Sequence, residues 1–537
     1  MDHADTPPVL PDPPHTTSEA SAASEPLNTT PPPTSALETL NPPHPTSAAA
    51  AEPPKANRVT RHSSPVRLLL VVIAVFVGLF LIIRTLAVEP FGVPTGSMAP
   101  ALIGHHRDGA CPRCGYTVHV GRPSTGNATD HFSHVVCPNC DFRFSLTTAP
   151  DLSGDRLLVD KNIYSLRRPR RWEMVVFRCP DPDPNEFGKP YVKRLIGLPG
   201  ETITIVDGDV YVNGQLARKG LAEVRETMMP VFDMAFVPKP DGWNSRWLIA
   251  SETDPRLPTG TTSNKTPTPV LEGDTLVLDA SESPQAMAGV TYRHWNLDDR
   301  REEPIHIWNA YDGFPRHFGQ LPTAHDFILT CEVEATATTT AEASFACRLL
   351  DGADAVSTEI SVGPKRTGRA QLIRENHGGL DTVSGISLVP KRKYRLEFAF
   401  VDRRAMLALD GKLVMPPADL PPAVGRKDIS RPLQLGARGC RIVIRDLILY
   451  RDIHYTQYGE HGTRHPVTLG PTEFYVLGDN SGNSQDSRKW PTPGVPEDDF
   501  IGKPVLIHQP LRLGRVSVGG RERVFQVLDW SRLRWLH

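Results

Sequence analysis

The sequence has 537 residues, a net charge of −2 and 53 prolines. Its length allows two or three domains plus tails, and its near-neutral charge gives no reason to expect a nucleic-acid partner. The prolines are concentrated in residues 1–60, which show no periodic apolar pattern and are predicted to form a disordered cytoplasmic tail rich in Pro, Ser, Thr and Ala. Docking of Pro-rich ligands is the functional alternative for this tail.

An apolar segment follows the tail. Residues 68–83 carry no charge and lie between Arg67 and Arg84. With the adjoining residues and both arginines reaching toward lipid head groups, the segment predicts a transmembrane helix over residues 65–88 in a lipid bilayer. A cleaved signal peptide is the alternative, which the long polar leader disfavours. More basic residues precede the segment than follow it. We therefore expect a single-pass protein of the cell (inner) membrane, with a cytoplasmic N-terminus and an exported part from about residue 89, periplasmic or otherwise extracytoplasmic.

Two motifs supply the groups of a hydrolase. Ser97 lies in PTGSMAP shortly after the apolar segment, and Lys193 lies in the apolar strand sequence YVKRLIGLPGETI. A serine hydroxyl needs a base to act as a nucleophile at neutral pH, and a lysine amine can be that base if burial keeps it neutral. Together they predict a membrane-bound hydrolase with a Ser/Lys pair.

Two C-x-x-C pairs lie between these motifs, in residues 105–148. Cys111 with Cys114 and Cys137 with Cys140 offer four thiolates, which predicts a structural zinc site. Disulfides are the alternative, because an exported part meets oxidising conditions. The spare candidate ligands nearby are His119, His131 and His134.

Short strand patterns occupy most of the remaining chain. Residues 154–161, 172–177 and 201–214 predict strands, the last as a hairpin around the Asp207-Gly208 turn. Residues 215–462 are punctuated by Pro, Gly and Thr, which is typical of a β-sandwich. Its latter part, roughly residues 320–455, resembles concanavalin-type jelly-roll sandwiches. A structural or substrate-guiding role is favoured, and a glycan ligand is the alternative.

Four other cysteines have no clear metal pattern. Cys331 and Cys347 flank a predicted hairpin and could be bridged across adjacent strands, whereas Cys179 and Cys440 are predicted to be isolated thiols. The C-terminal residues 524–535 mix aromatic residues with arginines. They predict either a membrane-surface segment or a strand or short helix packed on the core.

A fourth motif, GDNSGNSQDSR at residues 478–488, follows an apolar strand near the C-terminus. In order, PTGSMAP (residues 94–100), GDRLLVDK (154–161), YVKRLIGLPGETI (191–203) and GDNSGNSQDSR (478–488) resemble the motifs of bacterial type I signal peptidases. The resemblance covers three pieces of the chain, roughly residues 85–103, 150–214 and 465–510. It implies a membrane-bound serine endopeptidase that removes N-terminal signal peptides with small side chains at positions −1 and −3 from exported preproteins.

The same resemblance assigns roles to individual residues. Ser97 is implied as the nucleophile and Lys193 as the general base, without a catalytic cofactor. Thr95, with the Ser97 backbone N–H, is implied to stabilise the oxyanion, and Ser484 to orient the Lys193 amine. Asp486 and Arg488 are implied to form a supporting ion pair. These roles fit the chemistry, because one oxyanion donor is worth about 3 kcal/mol of transition-state stabilisation and a neutral amine can both take and return a proton.

The predicted fold class is mainly β, with an antiparallel catalytic core of signal-peptidase type interrupted by two inserts. Core segments are predicted at residues 89–104, 149–214 and 463–537, the zinc-ribbon-like insert at 105–148 and the jelly-roll-like sandwich at 215–462. Two other functions stay open. One is a self-cleaving Ser/Lys protease, which would not explain the apolar segment, and the other is a non-catalytic envelope protein whose sandwich binds glycans.

Overall fold

The structure, a computed structural model, describes residues 65–86, 88–123, 132–239, 242–249, 269–282, 287–313, 320–338, 342–364, 368–423, 425–518 and 521–536. The predicted tail of residues 1–60 and the spare ligand His131 lie outside the described residues. Contacts between Cα atoms divide the chain into two units, residues 1–69 and residues 70–537. The first unit is described only from residue 65. The described fold is mainly β, as predicted.

Helix α1 (Pro65–Leu86) contains the apolar segment, and its large apolar side chains from Val66 to Leu81 are exposed. Among the residues that the structure describes, however, no helix is both long and apolar enough to cross a membrane. The transmembrane part of the fold prediction is therefore not supported by this structure.

The described part of residues 88–227 contains twelve short strands and two short helices. In chain order they are β1 (Val88–Gly92), β2 (His106–Ala110), β3 (Thr117–Gly121), β4 (Val135–Val136), β5 (Arg143–Phe144), β6 (Asp151–Leu152), β7 (Arg156–Asp160), α2 (Ile163–Leu166), β8 (Met174–Arg178), β9 (Pro190–Gly197), β10 (Thr202–Val206), β11 (Asp209–Val212), β12 (Gln215–Leu216) and α3 (Leu221–Thr227). Asp207 and Gly208 both have positive φ, as the two-residue turn of the predicted β10–β11 hairpin requires.

The large insert contributes the next eighteen strands. They are β13 (Met229–Asp233), β14 (Trp247–Ile249), β15 (Val270–Glu272), β16 (Thr275–Asp279), β17 (Met287–Tyr292), β18 (Trp295–Asn296), β19 (Arg301–Glu302), β20 (Phe327–Thr338), β21 (Ser344–Leu350), β22 (Ala355–Ser361), β23 (Arg369–Arg374), β24 (Gly378–Ser384), β25 (Lys393–Val401), β26 (Arg404–Leu409), β27 (Lys412–Leu413), β28 (Ala418–Asp419), β29 (Leu433–Arg438) and β30 (Cys440–Arg451).

The C-terminal part returns to the catalytic region with seven strands. They are β31 (Val467–Thr468), β32 (Glu473–Leu477), β33 (Val495–Pro496), β34 (Phe500–Ile507), β35 (Leu511–Val518), β36 (Arg521–Leu528) and β37 (Arg534–Trp535). The C-terminal residues 524–535 therefore include strand structure, one of the predicted alternatives. Strand β36 pairs with β35, and β37 pairs with β34.

The catalytic sheet is assembled from all three catalytic segments. Its strand order is β1-β7-β34-β8-β9-β32-β33, with β37 added to β34, and its paired strands run antiparallel. Apolar side chains alternate between its two faces, so that Val176 enters one buried cluster and its neighbour Val175 another. A smaller sheet has the order β12-β11-β10-β31. It packs against β9, because Ile203 of β10 and Ile196 of β9 share one buried apolar cluster. Residues 193–197 of β9, Lys193 among them, are buried.

The large insert forms two antiparallel sheets. One has the order β15-β16-β30-β20-β25-β26-β27 with β13 and β28 attached, and the other has the order β14-β17-β29-β21-β22-β23-β24. Side chains from both sheets share one buried apolar cluster, as in a β-sandwich.

A bridge between Cys331 and Cys347, which the sequence left open, is not formed in this structure. Both cysteines are buried and free, and they lie in different sheets, Cys331 on β20 and Cys347 on β21. Because the chain crosses from one sheet to the other between these strands, the two thiols do not become neighbours in one ladder. Cys179 and Cys440 are also buried and free, as predicted.

Candidate active site

Ser97 lies in the loop between β1 and β2, residues 93–105, which we call the nucleophile loop after the proposed role of Ser97. Asp155 fixes this loop near both ends. The Val93 N–H donates to the Asp155 carbonyl oxygen at 2.9 Å, and the Ile103 N–H donates to its carboxylate at 2.8 Å. Asp155 is buried, and its carboxylate also pairs with Arg532 at 2.6 Å. The aspartate of the GDRLLVDK motif therefore determines where the loop leaves and rejoins the core.

The Lys193 amine meets the Ser97 hydroxyl. Lys193 Nζ lies 2.5 Å from Ser97 Oγ, although the two residues are 96 positions apart in the sequence. Lys193 is 3% exposed, and Ser97 is partly exposed at the edge of a cleft. A buried amine in contact with an accessible hydroxyl is the arrangement that nucleophile activation requires.

Burial also changes the proton affinity of this amine. It lowers the pKa of Lys193 to about 8, because the charged form loses its hydration, while the nearby Asp486 carboxylate acts in the opposite direction. At pH 7 about one tenth of Lys193 is therefore neutral and can accept the Ser97 proton, and this fraction rises with pH.

This pKa predicts the pH dependence of the reaction. Since only the neutral amine can act as the base, kcat/KM should fall about tenfold per pH unit below about pH 8 and level off above it. The measurement is kcat/KM for a fluorogenic peptide between about pH 6 and pH 10. A rate that stays constant across this range would contradict Lys193 as the base.

The residue after Lys193 faces the other side of the sheet and connects two motifs. Arg194 donates two hydrogen bonds to the Asp479 carboxylate, at 2.8 and 2.6 Å, and a third to the Trp172 carbonyl oxygen at 2.6 Å. Arg194 and Asp479 are almost completely buried. This ion pair holds the strand of the base against the GDNSGNSQDSR loop, a contact that sequence reasoning missed.

Asp486 and Arg488 form a fully buried ion pair. Arg488 donates to the two Asp486 carboxylate oxygens at 2.9 and 2.7 Å. Its remaining donors bond Thr456 and Ser481, and Asp486 also accepts the Gly478 N–H at 3.1 Å. Burial alone would raise the pKa of Asp486, but the Arg488 charge holds it below its usual range. The pair fixes the loop that carries Ser484.

The predicted bond between Ser484 and the Lys193 amine is not formed in this structure. Ser484 is 1% exposed, and its hydroxyl has no hydrogen-bond partner of good geometry within the described part of the chain. It lies close to the active site nevertheless. A Cβ on Gly478 would overlap the Ser484 hydroxyl and would stand 2.5 Å from the Ser97 carbonyl oxygen. The absence of a side chain at Gly478 thus allows Ser484 to approach the nucleophile loop.

Thr95, Ser97, Lys193 and Ser484 line one cleft of about 920 Å³. Apolar side chains at the end of β1 and on the neighbouring strands form part of its wall, among them Phe91, Val93, Leu157, Val176 and Val192. Thr95 is exposed in this cleft. The cleft is large enough for several residues of an extended peptide beside the serine.

Asn480 holds the backbone on both sides of Ser97. Its N–H donates to the Ser97 carbonyl oxygen at 3.0 Å, and its Nδ2 donates to the Gly96 carbonyl oxygen at 3.1 Å. Asn480 belongs to the GDNSGNSQDSR motif, so the motif offered a signal that sequence reasoning did not use.

The large insert also contacts the nucleophile loop, through residues 309–312. The Tyr311 ring fills the space that a side chain at Gly96 or Gly121 would need, and its hydroxyl donates to the His105 carbonyl oxygen at 2.8 Å. The Asn309 amide donates to the Ala99 carbonyl oxygen at 2.9 Å. The insert thus braces the loop directly.

The adjacent Asp312 ties the insert to the GDNSGNSQDSR loop. One of its carboxylate oxygens accepts from the side-chain amides of Asn480 and Asn483, at 2.8 and 2.7 Å. Burial raises the pKa of Asp312 to about 6, although these two hydrogen bonds lower it. Above about pH 6 Asp312 therefore acts as an ionised acceptor for Asn480.

Removing this acceptor should affect turnover more than binding. Asp312→Ala removes one acceptor of the buried Asn480 amide and the acceptor of the exposed Asn483 amide. This loosens the backbone around Ser97, so we expect kcat to fall about tenfold, or ~1.4 kcal/mol, with little change in KM. Asp274→Ala removes an exposed carboxylate of the same insert and serves as the control. Equal kcat values for the two variants would show that the Asp312 contact does not position the loop.

The four cysteines of the smaller insert converge on one point. Cys111 Sγ lies 3.7 Å from Cys140 Sγ, and Cys114 Sγ lies 3.6 Å from Cys137 Sγ. A tetrahedral zinc with four thiolates separates its sulfurs by about 3.8 Å, whereas a disulfide requires about 2.0 Å.

Both pairs also share one backbone pattern. In each turn an N–H bonds back to the carbonyl oxygen of the first cysteine, from Gly115 to Cys111 and from Asp141 to Cys137. The donor set and its spacing therefore fit a structural zinc ion.

Comparison with protein families identifies part of the catalytic region. Residues 145–278 match the family profile described as "Signal peptidase, peptidase S26". This match supports a serine peptidase. The matched residues include Lys193 and precede the GDNSGNSQDSR motif, while Ser97 lies before them.

Two curated proteins with similar sequences are named as signal peptidases. The chain is 44% identical over 64 residues to "Probable signal peptidase I-2" of Synechocystis sp., covering 12% of this chain and 29% of that protein. It is 29% identical over 133 residues to "Signal peptidase I" of Rickettsia typhi, covering 25% of this chain and 38% of that protein. The chain therefore spans less than two fifths of the length of these relatives.

Among solved structures, the carbohydrate-binding module CBM66 from Bacillus subtilis aligns with 38% of this chain and 95% of its own, at 9% identity and a TM-score of 0.23. At this score the similarity supports no conclusion about the fold or the ligands of the chain.

Proposed function

We propose that the protein is a type I signal peptidase, a serine endopeptidase that cleaves N-terminal signal peptides from exported preproteins. The contact between the Lys193 amine and the Ser97 hydroxyl carries this proposal. The peptidase S26 match and the signal peptidase I relatives support the class of substrate.

In the proposed mechanism Ser97 Oγ attacks the carbonyl carbon of the scissile peptide bond while Lys193 Nζ accepts the serine proton. The oxyanion that forms accepts hydrogen bonds from the Ser97 N–H and the Thr95 hydroxyl. Lys193 then protonates the leaving amine, and water hydrolyses the acyl-enzyme. Each step uses groups of this chain alone.

Cleavage of a synthetic preprotein by the purified full chain tests this function. The wild type should release one product, cut after a small residue that follows the A-x-A pattern, and Ser97→Ala should release none. The same assay separates the alternatives. A self-cleaving protease would shorten its own chain and leave the preprotein intact, and a non-catalytic envelope protein would cut neither.

We further propose that the apolar segment anchors the enzyme in the cell membrane with the catalytic region on the exported side. The unbroken apolar run between Arg67 and Arg84 and the exposed apolar side chains of α1 support an anchor. The full chain should float with lipid vesicles, and a chain that lacks residues 65–86 should not. Flotation of both chains, or of neither, would contradict the anchor.

For the smaller insert, we propose a structural zinc ion held by Cys111, Cys114, Cys137 and Cys140, which would stabilise the fold of the insert and take no part in the reaction. Zinc bound to the full chain, with all four thiols reduced, is the expected result. Oxidised thiols without zinc would contradict this proposal.

For the large insert, we infer a bracing role rather than glycan binding. The contacts of Asn309, Tyr311 and Asp312 with the nucleophile loop and the GDNSGNSQDSR loop support this role. The Asp312→Ala experiment described above tests it.

A further inference from the structure

Three further side chains with metal-ligating groups share one face of the β2–β3 ribbon. His106 and Asp108 are two positions apart on β2, and His119 on β3 stands directly opposite Asp108 in the strand register. Side chains alternate between the faces of a strand, so all three project to the same side. None of them belongs to the four-cysteine cluster.

Their ligand atoms lie close together. His119 Nδ1 donates a hydrogen bond to Asp108 Oδ1 at 2.6 Å, and His106 Nε2 lies 3.1 Å from the same oxygen. One ligand atom of each residue falls within 4.8 Å of the others. His106 is 1% and Asp108 6% exposed, whereas His119 is partly exposed. The group is therefore largely shielded from water but has one accessible side.

A hydrogen bond fixes the tautomer of His106. Its Nδ1 lies 2.8 Å from the Gly104 carbonyl oxygen, which can only accept, so Nδ1 carries the proton. In the neutral ring Nε2 then presents a lone pair to the Asp108 carboxylate, and two acceptors face each other. His106 Nε2 and Asp108 Oδ2 are both buried without a hydrogen-bond partner of good geometry.

A metal cation between His106 Nε2 and the Asp108 carboxylate would bind a lone pair from each, so that neither acceptor is left without a partner. We propose that His106, Asp108 and His119 bind a divalent transition-metal ion of the Zn²⁺ class, with two imidazole nitrogens and one carboxylate oxygen as ligands. This donor set suits zinc, and the hydrogen bond from His106 Nδ1 to a backbone carbonyl is the usual second contact of a metal-bound histidine. A proton on His106 is the competing explanation, and metal content distinguishes the two.

The site also has room for a further ligand. Asp108 and His119 form part of the wall of a cleft of about 720 Å³ between the ribbon and the C-terminal residues 529–532. Three protein ligands leave one position of a tetrahedral zinc open, and water from this cleft can occupy it.

The position of the site suggests what the metal does. The Gly104 carbonyl that accepts the His106 hydrogen bond belongs to the end of the nucleophile loop, and a Cβ on Gly104 would stand 2.5 Å from the Thr95 carbonyl carbon. A metal on His106 therefore fixes the return of this loop to the core. The metal-binding proposal stands whether or not the chain cleaves signal peptides.

Zinc content of the purified full chain tests the site. Wild type, Asp108→Asn and His119→Gln are loaded with zinc, passed over a chelating resin and analysed by mass spectrometry for zinc per chain. Both variants should hold about one zinc less than wild type, whether or not the four-cysteine cluster is loaded. Variants that retain the wild-type content would overturn the proposal and favour the protonated histidine.

A control and a second measurement keep the result interpretable. His105→Gln removes the exposed imidazole next to the site and should keep the wild-type zinc content. Cobalt titration of the wild type covers the case in which the variants misfold. It should give visible bands of a nitrogen- and oxygen-ligated ion in addition to any thiolate-to-cobalt charge transfer. If thiolate-bound cobalt is the only species, or if no cobalt binds, the site is not a metal site.

Discussion

Replacing Lys193 with methionine is expected to lower kcat for signal-peptide cleavage about 10⁴-fold or more, because the Ser97 hydroxyl then has no base within reach. Methionine matches the lysine stem in size, and the buried site disfavours a charge, so the fold should be preserved. The measurement is kcat and KM for a peptide spanning a cleavage site, together with the circular dichroism spectrum of the variant.

Lys161→Met is the matched control, since Lys161 is an exposed lysine of the catalytic region whose ion pair with Glu89 lies at the surface. It should keep wild-type kcat. If Lys193→Met retained the wild-type rate with an unchanged spectrum, another group would have to be the base.

Among the variants proposed for this protein, Arg488→Met should lower the free energy of unfolding the most. It leaves the Asp486 carboxylate buried and without its counter-ion, which costs about 3 to 5 kcal/mol. The thermal transition of the catalytic region should fall by about 10 °C or more in differential scanning calorimetry. Activity at lower temperature should fall as well, because the pair fixes the loop that carries Ser484.

Two further variants isolate the effect of the unpaired charge. The double variant Asp486→Asn with Arg488→Met removes both charges and should be more stable than Arg488→Met alone. Arg464→Met breaks an exposed ion pair with Glu460 and should cost less than about 1 kcal/mol. If Arg488→Met changed stability no more than Arg464→Met, the buried pair would not support the fold.

The sequence predicted the parts of the site that short motifs encode. Ser97, Lys193, Asp486 and Arg488 each lie in a motif of closely spaced residues, so the motifs showed their chemistry before their positions in space were known. The four cysteines of the C-x-x-C pairs could also be predicted from short motifs, because each turn presents two sulfurs through local backbone geometry alone. Strand sequences bounded by Pro, Gly and Arg turns likewise predicted β7 and β8, and the Asp207-Gly208 turn predicted the β10–β11 hairpin.

Long-range contacts could not be predicted in this way. Tyr311 fits against Gly96 and Gly121 because the sandwich docks on the nucleophile loop, and no local pattern around Tyr311 indicates this docking. Cys331 and Cys347 were predicted on adjacent strands because they are close in sequence. The chain changes sheets between them, so sequence distance was misleading.

The contacts of Asp312 give the large insert a physical relation to the chemistry. One carboxylate oxygen accepts from Asn480, and Asn480 in turn holds the backbone carbonyls of Gly96 and Ser97. A chain of three hydrogen-bonded elements thus extends from the sandwich to Ser97, the proposed nucleophile. Changes in how the insert docks would therefore act on kcat through the loop.

The central claim, that Ser97 is the nucleophile and Lys193 its base, is tested most directly by labelling the full chain with a peptidyl fluorophosphonate, an irreversible reagent for activated serines. Peptide mass spectrometry then identifies the modified residue. The account predicts that the label is on Ser97 and that the labelling rate falls about 10³-fold or more in Lys193→Met. Labelling of a different serine, or labelling of Ser97 at the wild-type rate in Lys193→Met, would contradict it.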